Sequence, residues 1–293
     1  MKRLLVPLDG SPLAETILPV AEEWAKEEQA EVVLLRAVPA PAAPGGEGTA
    51  AEAKTPEDAE AYLETVAERL ARRGIERVRW GVSHEPPAAA IIEAAAREGV
   101  DMIAMATHGR SGLSRLLLGS VAEAVVRSAR VPVLLMRGQS AWKPWATGKI
   151  LVPLDGSELS EGILPVVERI AGPRNLAIVL FRVIDPLASG TAGEAPTRPD
   201  ELIALQRADA ERYLAKVAEG LGGRGLRVEW AVGVGRVAET IAVFAGRERA
   251  NLIAMATHGR GGLGRLLLGS VAAGVLRTAP APVLLFKTGS RVR

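Results

Sequence analysis

The chain has 293 residues, of which 48% are hydrophobic, and a formal net charge of only +2. This composition is typical of a globular protein, and the absence of a basic run interleaved with aromatic residues argues against a nucleic-acid partner. The lack of cysteine excludes disulfides, thiolate zinc sites and thiol catalysis. No apolar stretch reaches the roughly 18 residues that span a membrane, and the first seven residues do not form a signal peptide, so we expect a cytoplasmic protein without a membrane partner.

Short apolar strands alternate with helices along the first half of the chain. Strands are predicted at residues 4–8, 31–38, 77–82, 100–106 and 131–136. The first helix is predicted to begin with Ser11 as N-cap and Pro12 as its first residue. Further helices are predicted at residues 57–73, at 88–97 and after Gly119. Such alternation indicates an α/β fold, a parallel sheet with helices on both faces.

The second half of the chain repeats the first. Residues 101–121 are nearly identical to residues 251–271, and residues 4–11 match residues 150–157. A repeat of about 150 residues has the size of one domain rather than of a solenoid unit.

The repeat therefore predicts two tandem domains, residues 1–140 and 149–293, joined by a linker at residues 141–148. By analogy with other open α/β sheets, each domain is expected to form a five-stranded parallel sheet in the order 3-2-1-4-5. Ligands of such sheets bind at the carboxyl ends of the strands where the order reverses, here between strands one and four.

A glycine-rich segment after strand four gives the strongest chemical signal. Gly109 is followed, after nine residues, by Gly119 and Ser120, and the second copy has the same spacing. Glycine lets backbone N–H groups approach a ligand closely, and the helix that begins near Ser120 directs its positive end at the segment. Phosphate groups suit this place. The alternative interpretation is a glycine-rich turn that Ser120 caps.

Polar side chains beside these segments also allow two interpretations. Asp9 and Asp155, which follow the first strand of each copy, either contact a ligand or form Asx turns. We interpret His108 and His258 as phosphate or ribose contacts rather than general bases, because no second carboxylate accompanies them. The sequence predicts no catalytic residue and no metal ligand, although Mg²⁺ could arrive with bound phosphates.

A dinucleotide-binding pattern in the second copy competes with this interpretation. Gly233 and Gly235 follow a strand and open a helix, and residues 233–238 fit Gly-x-Gly-x-x-Ala. The pattern follows the third strand rather than the first, and the first copy has Ser83 and Glu85 in place of the glycines. We therefore do not expect a Rossmann cofactor site here.

Taken over both copies, these motifs resemble those of the universal stress protein family. ATP-binding members of that family carry Gly, two residues, Gly, nine residues and Gly-Ser/Thr. The chain matches from residue 109 to 120 and from residue 259 to 270. It departs from the pattern at the first glycine, which is Ala106 in one copy and Ala256 in the other. Because alanine is the smallest such change, we expect it to be tolerated.

The resemblance implies which residues contact the nucleotide. The aspartate after strand one meets the adenosine part, the residue near the end of strand two meets adenine, a methionine lies beside the base, and the glycine-rich segment holds phosphates and ribose. In the first copy the site residues are Pro7, Leu8, Asp9, Ala37, Met105, Ala106, His108, Gly109, Arg110, Gly119, Ser120 and Val121. In the second copy they are Pro153, Leu154, Asp155, Val183, Met255, Ala256, His258, Gly259, Arg260, Gly269, Ser270 and Val271.

The resemblance also implies a function, an ATP-binding sensor or regulator of the stress response with two ATP sites per chain and little or no hydrolysis. In this family the last strand commonly builds a dimer, so we expect an intramolecular pseudo-dimer and consider a homodimer as well. Two alternatives use the same motifs. One is a slow ATPase or nucleotidyl-transfer enzyme, and the other is a dimerisation module that binds no nucleotide.

Overall fold

Alternating strands and helices build both halves of the chain, as the apolar periodicity predicts. The computed structural model describes residues 2–39, 55–107, 118–137, 148–186, 199–257 and 268–287. Contacts between residues divide the chain into two compact units, whose boundary in the sequence lies between residues 139 and 140. Only Gly148 of the predicted linker is among the described residues, so the limits of the linker stay a prediction.

The first unit contains a five-stranded parallel sheet. Its strands are β1 (Arg3–Pro7), β2 (Glu31–Ala37), β3 (Val78–Ser83), β4 (Met102–Ala106) and β5 (Val133–Met136). Its helices are α1 (Leu18–Glu28), α2 (Pro56–Arg72), α3 (Pro87–Arg97) and α4 (Ser120–Ser128). The strand order is β3-β2-β1-β4-β5, which confirms the predicted order 3-2-1-4-5. Each neighbouring pair is parallel, so that Leu5 of β1 lies opposite Val33 of β2 and Ile103 of β4.

The second unit has the same order of elements. Its strands are β6 (Lys149–Pro153), β7 (Ala177–Ile184), β8 (Arg227–Val234), β9 (Leu252–Thr257) and β10 (Val283–Lys287). Its helices are α5 (Glu158–Glu161), α6 (Leu164–Arg174), α7 (Pro199–Gly222), α8 (Val237–Arg247) and α9 (Ser270–Thr278). The strands are again parallel, in the order β8-β7-β6-β9-β10.

Helices cover both faces of each sheet. In the first unit the chain moves from β1 to β3 in one direction and from β3 to β5 in the other, and crossovers between parallel strands are right-handed. Helices α1 and α2 therefore lie on one face, and α3 and α4, which contact each other, lie on the opposite face. The apolar strands are buried between them, and Met102, Ile103 and Ala104 of β4 have no exposed surface. Among the described helices, none is both long and apolar enough to cross a membrane.

The start of the first helix differs from the prediction. Ser11 does not cap α1, since α1 begins only at Leu18 and a short 3-10 turn, Ala14–Ile17, precedes it. The Ser11 Oγ accepts a hydrogen bond from the backbone N–H of Ala14 at 3.1 Å and so supports this turn instead. Pro19 fixes the new start, because proline is favoured in the first turn of a helix and lacks the N–H that a continuing helix needs.

Candidate functional site

A cavity of about 300 Å³ lies at the carboxyl ends of β1, β2 and β4 in the first unit. This is the place between strands one and four at which the strand order reverses, and ligands of open α/β sheets bind at such a place. Most of its wall is apolar, and Asp9, Thr107 and Ser120 are the polar side chains that line it. An apolar cavity of this size with a few polar groups is typical of a small-molecule site.

Predicted site residues from four separate parts of the sequence converge on this cavity. All nine described candidates of the first copy line it, namely Pro7, Leu8, Asp9, Ala37, Met105, Ala106, Gly119, Ser120 and Val121. Their role as nucleotide contacts stays a prediction. The remaining candidates of this copy, His108, Gly109 and Arg110, lie outside the described residues, as do His258, Gly259 and Arg260 of the second copy.

Six further residues line the cavity without having been predicted. They are Ala14, Leu35, Pro87, Ile91, Thr107 and Ala122. Only Thr107 carries a signal that could have found it, since it adjoins the glycine-rich segment and is repeated as Thr257. The others are ordinary apolar residues, and their place in the wall depends on which face of the sheet or helix they occupy.

The Asp9 carboxylate shapes the turn that follows β1. Its Oδ1 accepts hydrogen bonds from the backbone N–H and the hydroxyl of Ser11, at 2.8 and 2.6 Å. Gly10, between them, has a φ of +82°, a value that favours glycine. The Asx interpretation of Asp9 is therefore confirmed. Because Asp9 also lines the cavity, forming the turn does not exclude contact with a ligand.

Helix α4 begins at the wall of the cavity. Gly119 is its N-cap and has no side chain that could cap the helix, and Ser120 is its first residue. The cap predicted in the alternative interpretation is therefore wrong, because Gly119 and not Ser120 takes that position. The backbone N–H of Gly119 donates to the Thr107 carbonyl at 2.9 Å, which fixes the helix start to the end of β4. The first N–H groups of a helix have no acceptor within the helix, so a helix start with glycine as N-cap beside a cavity favours an anion.

The second unit places equivalent residues on equivalent elements. Gly269 is the N-cap of α9 and, like Gly119, has no side chain that could cap the helix. The Asp155 Oδ1 accepts from the backbone N–H and hydroxyl of Ser157 at 2.9 and 2.6 Å, and Gly156 has a φ of +89°. The other described candidates follow the same pattern: Pro153 ends β6 and Leu154 follows it, Val183 lies on β7, Met255 and Ala256 lie on β9, and Ser270 and Val271 begin α9.

The aspartate and the helix start of each site attract different parts of a ligand. Burial by itself raises the pKa of Asp155, but hydrogen bonds from Ser157 and Ser160 outweigh it, so the net pKa of Asp155 lies below its ordinary value. An ionised carboxylate accepts hydrogen bonds from hydroxyl or amine groups and repels phosphate. A ligand with both hydroxyl and phosphate groups would therefore direct its hydroxyls to the aspartate and its phosphates to the helix start. Within the described residues, no group of three or more His, Cys, Asp or Glu side chains could hold a metal ion.

The dinucleotide pattern at residues 233–238 has a packing explanation. A Cβ on Gly233 would lie 2.7 Å from Cζ of Phe181 and 2.9 Å from Cγ2 of Thr240. A Cβ on Gly235, whose φ is +141°, would lie 2.9 Å from Oγ1 of Thr240. Both glycines thus make room for neighbouring side chains, and the pattern needs no dinucleotide to account for it.

Comparison with known proteins gives the family of this chain. The model of the Universal stress protein family matches residues 1–137 and, a second time, residues 147–287. The chain belongs to the universal stress protein family. The two matches correspond to the sequence repeat, so this universal stress protein carries two copies of the family sequence in tandem.

Individual relatives support the same assignment. This universal stress protein is 33% identical over 150 residues to universal stress protein MJ0531 of Methanocaldococcus jannaschii, across 46% of this chain and 82% of that protein. It is 30% identical over 188 residues to universal stress protein Rv2005c of Mycobacterium tuberculosis, across 63% of this chain and 61% of that protein, less than two thirds of its length. A universal stress protein structure from Archaeoglobus fulgidus superposes with a TM-score of 0.71 at 23% identity, covering 98% of each chain, and shows the shared fold.

Proposed function

We propose that this universal stress protein binds ATP in the cavity of the first unit and at the equivalent place in the second, as a sensor or regulator with little or no hydrolysis. One observation carries the proposal. The cavity combines an apolar wall, the Asp9 carboxylate and the start of α4, with glycine as its N-cap, at the point where the strand order reverses. Base, ribose and phosphate need these three kinds of surface, respectively.

Each part of the nucleotide has a matching group in this proposal. The adenine packs on the apolar wall near Ala37 and Met105, and the ribose hydroxyls donate to the Asp9 carboxylate. The backbone N–H groups at the start of α4 donate to the phosphates. Mg²⁺, if it accompanies the phosphates, keeps most of its ligands from water and phosphate oxygen, as it commonly does in nucleotide sites.

Valine at the two glycine N-caps tests the proposal. The φ of Gly119 is −59° and that of Gly269 is −53°, values that valine adopts without strain, so both substitutions are expected to leave the fold intact. The added side chain enters the space that the phosphates need. We expect two ATP per chain in the wild-type protein, one in Gly119→Val or Gly269→Val, and none in the double variant, measured by isothermal titration calorimetry and native mass spectrometry.

Gly81→Val is the matched control, because a Cβ on Gly81 meets no atom within 4 Å. It should keep both ATP molecules. Two bound ATP in the double variant would contradict the assignment of the phosphate site, and no binding by the wild-type protein would favour the dimerisation module. Steady ADP release at about 1 s⁻¹ or faster would favour the enzyme instead. Competition by AMP and cyclic AMP defines the nucleotide, and the native spectra report whether two chains associate.

A further inference from the structure

An arginine of β2 packs behind the turn that carries Asp9. Side chains alternate between the two faces of a strand, and Leu35 and Ala37 line the cavity, so Arg36 between them faces the opposite side of the sheet. Arg36 is only 2% exposed. Its guanidinium atoms lie 3.1 Å from the position that a Cβ on Gly10 would occupy. The guanidinium therefore packs directly on the backbone of the residue that follows Asp9.

A tyrosine and a glutamate connect this arginine to helix α2. The guanidinium carbon of Arg36 lies 5.0 Å from the centre of the Tyr62 ring, within the range of a cation–π contact. The Tyr62 hydroxyl donates to Oε1 of Glu15 at 2.9 Å, and Arg69 donates to Oε2 of Glu15 at 2.6 Å. Burial and the bond to Glu15 raise the pKa of Tyr62, so the phenol stays protonated and able to donate. Glu15 belongs to the 3-10 turn that follows Asp9 in the chain. Arg36 at Gly10 and Tyr62 at Glu15 therefore hold both ends of the segment 10–15 from the α2 side.

The second unit repeats this arrangement. The Arg182 guanidinium lies 5.3 Å from the Tyr213 ring centre, and its Nη1 lies 3.2 Å from the Cβ position of Gly156. The Tyr213 hydroxyl donates to Oε1 of Glu161 at 2.9 Å. Here we define the Arg-Tyr-Glu cluster as Arg36, Tyr62 and Glu15 in the first unit and Arg182, Tyr213 and Glu161 in the second.

The residues of the Arg-Tyr-Glu cluster are the same in both copies, whereas a neighbouring residue differs. The position of Arg69 in α2 corresponds to Gly220 in α7, which cannot form the equivalent of the Arg69–Glu15 ion pair. The three cluster residues nevertheless recur in both copies with nearly equal distances. The glycine that each arginine covers has a positive φ, and glycine is the residue that moves most freely among backbone conformations.

We propose that the Arg-Tyr-Glu cluster positions Asp9 and Asp155 for the nucleotide by restricting the glycine-containing turn from behind, a role that rests on the proposed ATP binding. A turn fixed in its binding geometry before the ligand arrives loses less conformational entropy on binding. Tyr62 and Tyr213 are positioning residues here. They lie across the sheet from the cavity wall and act through the aspartate, so their effect on affinity must vanish when the aspartate is disabled.

A double-mutant cycle on the full chain tests this inference. In protein carrying Gly269→Val, so that only the first site is measured, Tyr62→Phe removes one hydrogen bond and is expected to weaken ATP binding about threefold to tenfold. Combined with Asp9→Asn, the same change should alter the ATP dissociation constant less than about twofold, because coupled residues are not additive. Thr65→Val, which removes another α2 hydroxyl bond, to the Ala61 carbonyl, is the control and should leave affinity unchanged.

The outcomes separate this inference from the proposed function. If the Gly269→Val parent does not bind ATP, both fail. If it binds ATP but Tyr62→Phe binds equally well, or loses as much affinity with Asp9→Asn as without it, only the role of the cluster is overturned. Tyr213→Phe in protein carrying Gly119→Val repeats the test at the second site, and circular dichroism and thermal melting verify that each variant is folded.

Discussion

Gly233→Ala should destabilise the second unit, because Gly233 lies against an aromatic side chain that has no room to move. The added Cβ would approach Cζ of Phe181 to 2.7 Å, well inside van der Waals contact. Phe181 is 1% exposed, and its ring stacks on Phe244 with centroids 4.0 Å apart and planes 8° from parallel. The clash therefore involves a ring tip that is enclosed on its other side, so relief requires a shift of the ring pair or of the backbone.

Two opposing terms set the size of the effect. Overpacking a well-packed core costs about 1–3 kcal/mol. Replacing glycine by alanine within a strand returns about 0.5–1 kcal/mol, because alanine has less conformational freedom to lose on folding. We expect a net loss of roughly 1–2 kcal/mol, which lowers the melting temperature by about 3–6 °C for a domain of this size.

Gly81→Ala is the matched control in the first unit. A Cβ on Gly81 meets nothing within 4 Å, and the corresponding residue of the second copy, Ala231, is already alanine. This control should stabilise the protein by about 0.5–1 kcal/mol, because only the change in conformational freedom from glycine to alanine acts there. Scanning calorimetry and urea unfolding give the change in the free energy of unfolding for each variant. The difference between the two changes is the cost of the steric clash.

A second substitution identifies the cause of the loss. Phe181→Leu introduces the leucine that the first copy has at Leu35, and in that copy Ser83 takes the place of Gly233. If contact with the ring causes the loss, Gly233→Ala should be less destabilising in Phe181→Leu protein than in wild type. Equal effects in both backgrounds would assign the loss to the contact with Thr240 instead of the ring. A wild-type melting temperature in Gly233→Ala would refute the packing explanation and reopen the dinucleotide interpretation, which binding of NAD would then test.

Two further predictions concern stability. The pKa of Asp155 is depressed in the folded state, so its contribution to stability is present above the unfolded pKa of about 4 and disappears as the pH falls through the lower folded value. Asp155→Asn should therefore be less stable than wild type at neutral pH and lose less stability on acidification, as urea unfolding across pH 3–7 would report; parallel profiles would contradict this. Thr55 and Asp58 form a capping box at the start of α2, so Thr55→Ala should cost about 1 kcal/mol in urea unfolding, whereas Thr65→Val on the same helix should cost less.

The elements and much of the site could be predicted from sequence for a physical reason. Buried parallel strands are continuous apolar runs, so β1 and β4 are evident without a structure. The repeated motifs follow these two strands, and their carboxyl ends meet at one edge of the sheet. That topology alone brings Asp9 and Gly119 to one cavity. The strand order itself came only by analogy, since hydrophobic periodicity does not say which strands are neighbours.

Other parts of the site depend on three-dimensional packing. Leu35 and Ile91 line the cavity, yet as apolar residues of a strand and a helix they look like any core residue. Ser120 resembles an N-cap, but the cap is Gly119, whose N–H the Thr107 carbonyl accepts. Ser11 likewise resembles an N-cap, but its Oγ accepts from Ala14 at the start of a short 3-10 turn that precedes α1. Local sequence preference predicts which residue types occur at a helix start. Packing and hydrogen bonds of the surrounding chain determine which of those residues becomes the N-cap.

The two copies differ at apolar positions of the wall, whereas the polar residues Asp9, Thr107 and Ser120 recur as Asp155, Thr257 and Ser270. Leu35 and Ala37 of the first cavity correspond to the larger Phe181 and Val183, and the aromatic stack of Phe181 on Phe244 belongs to the second copy. In the proposed function, the polar groups recognise ribose and phosphate, while the wall recognises the base. Under that proposal, the differences between the copies fall on the surface assigned to the base, and the residues assigned to ribose and phosphate are the same in both. We therefore expect two sites that bind the same class of ligand with unequal affinity. The calorimetric titration of wild-type protein should show two unequal steps. Gly119→Val and Gly269→Val should each remove one of these steps.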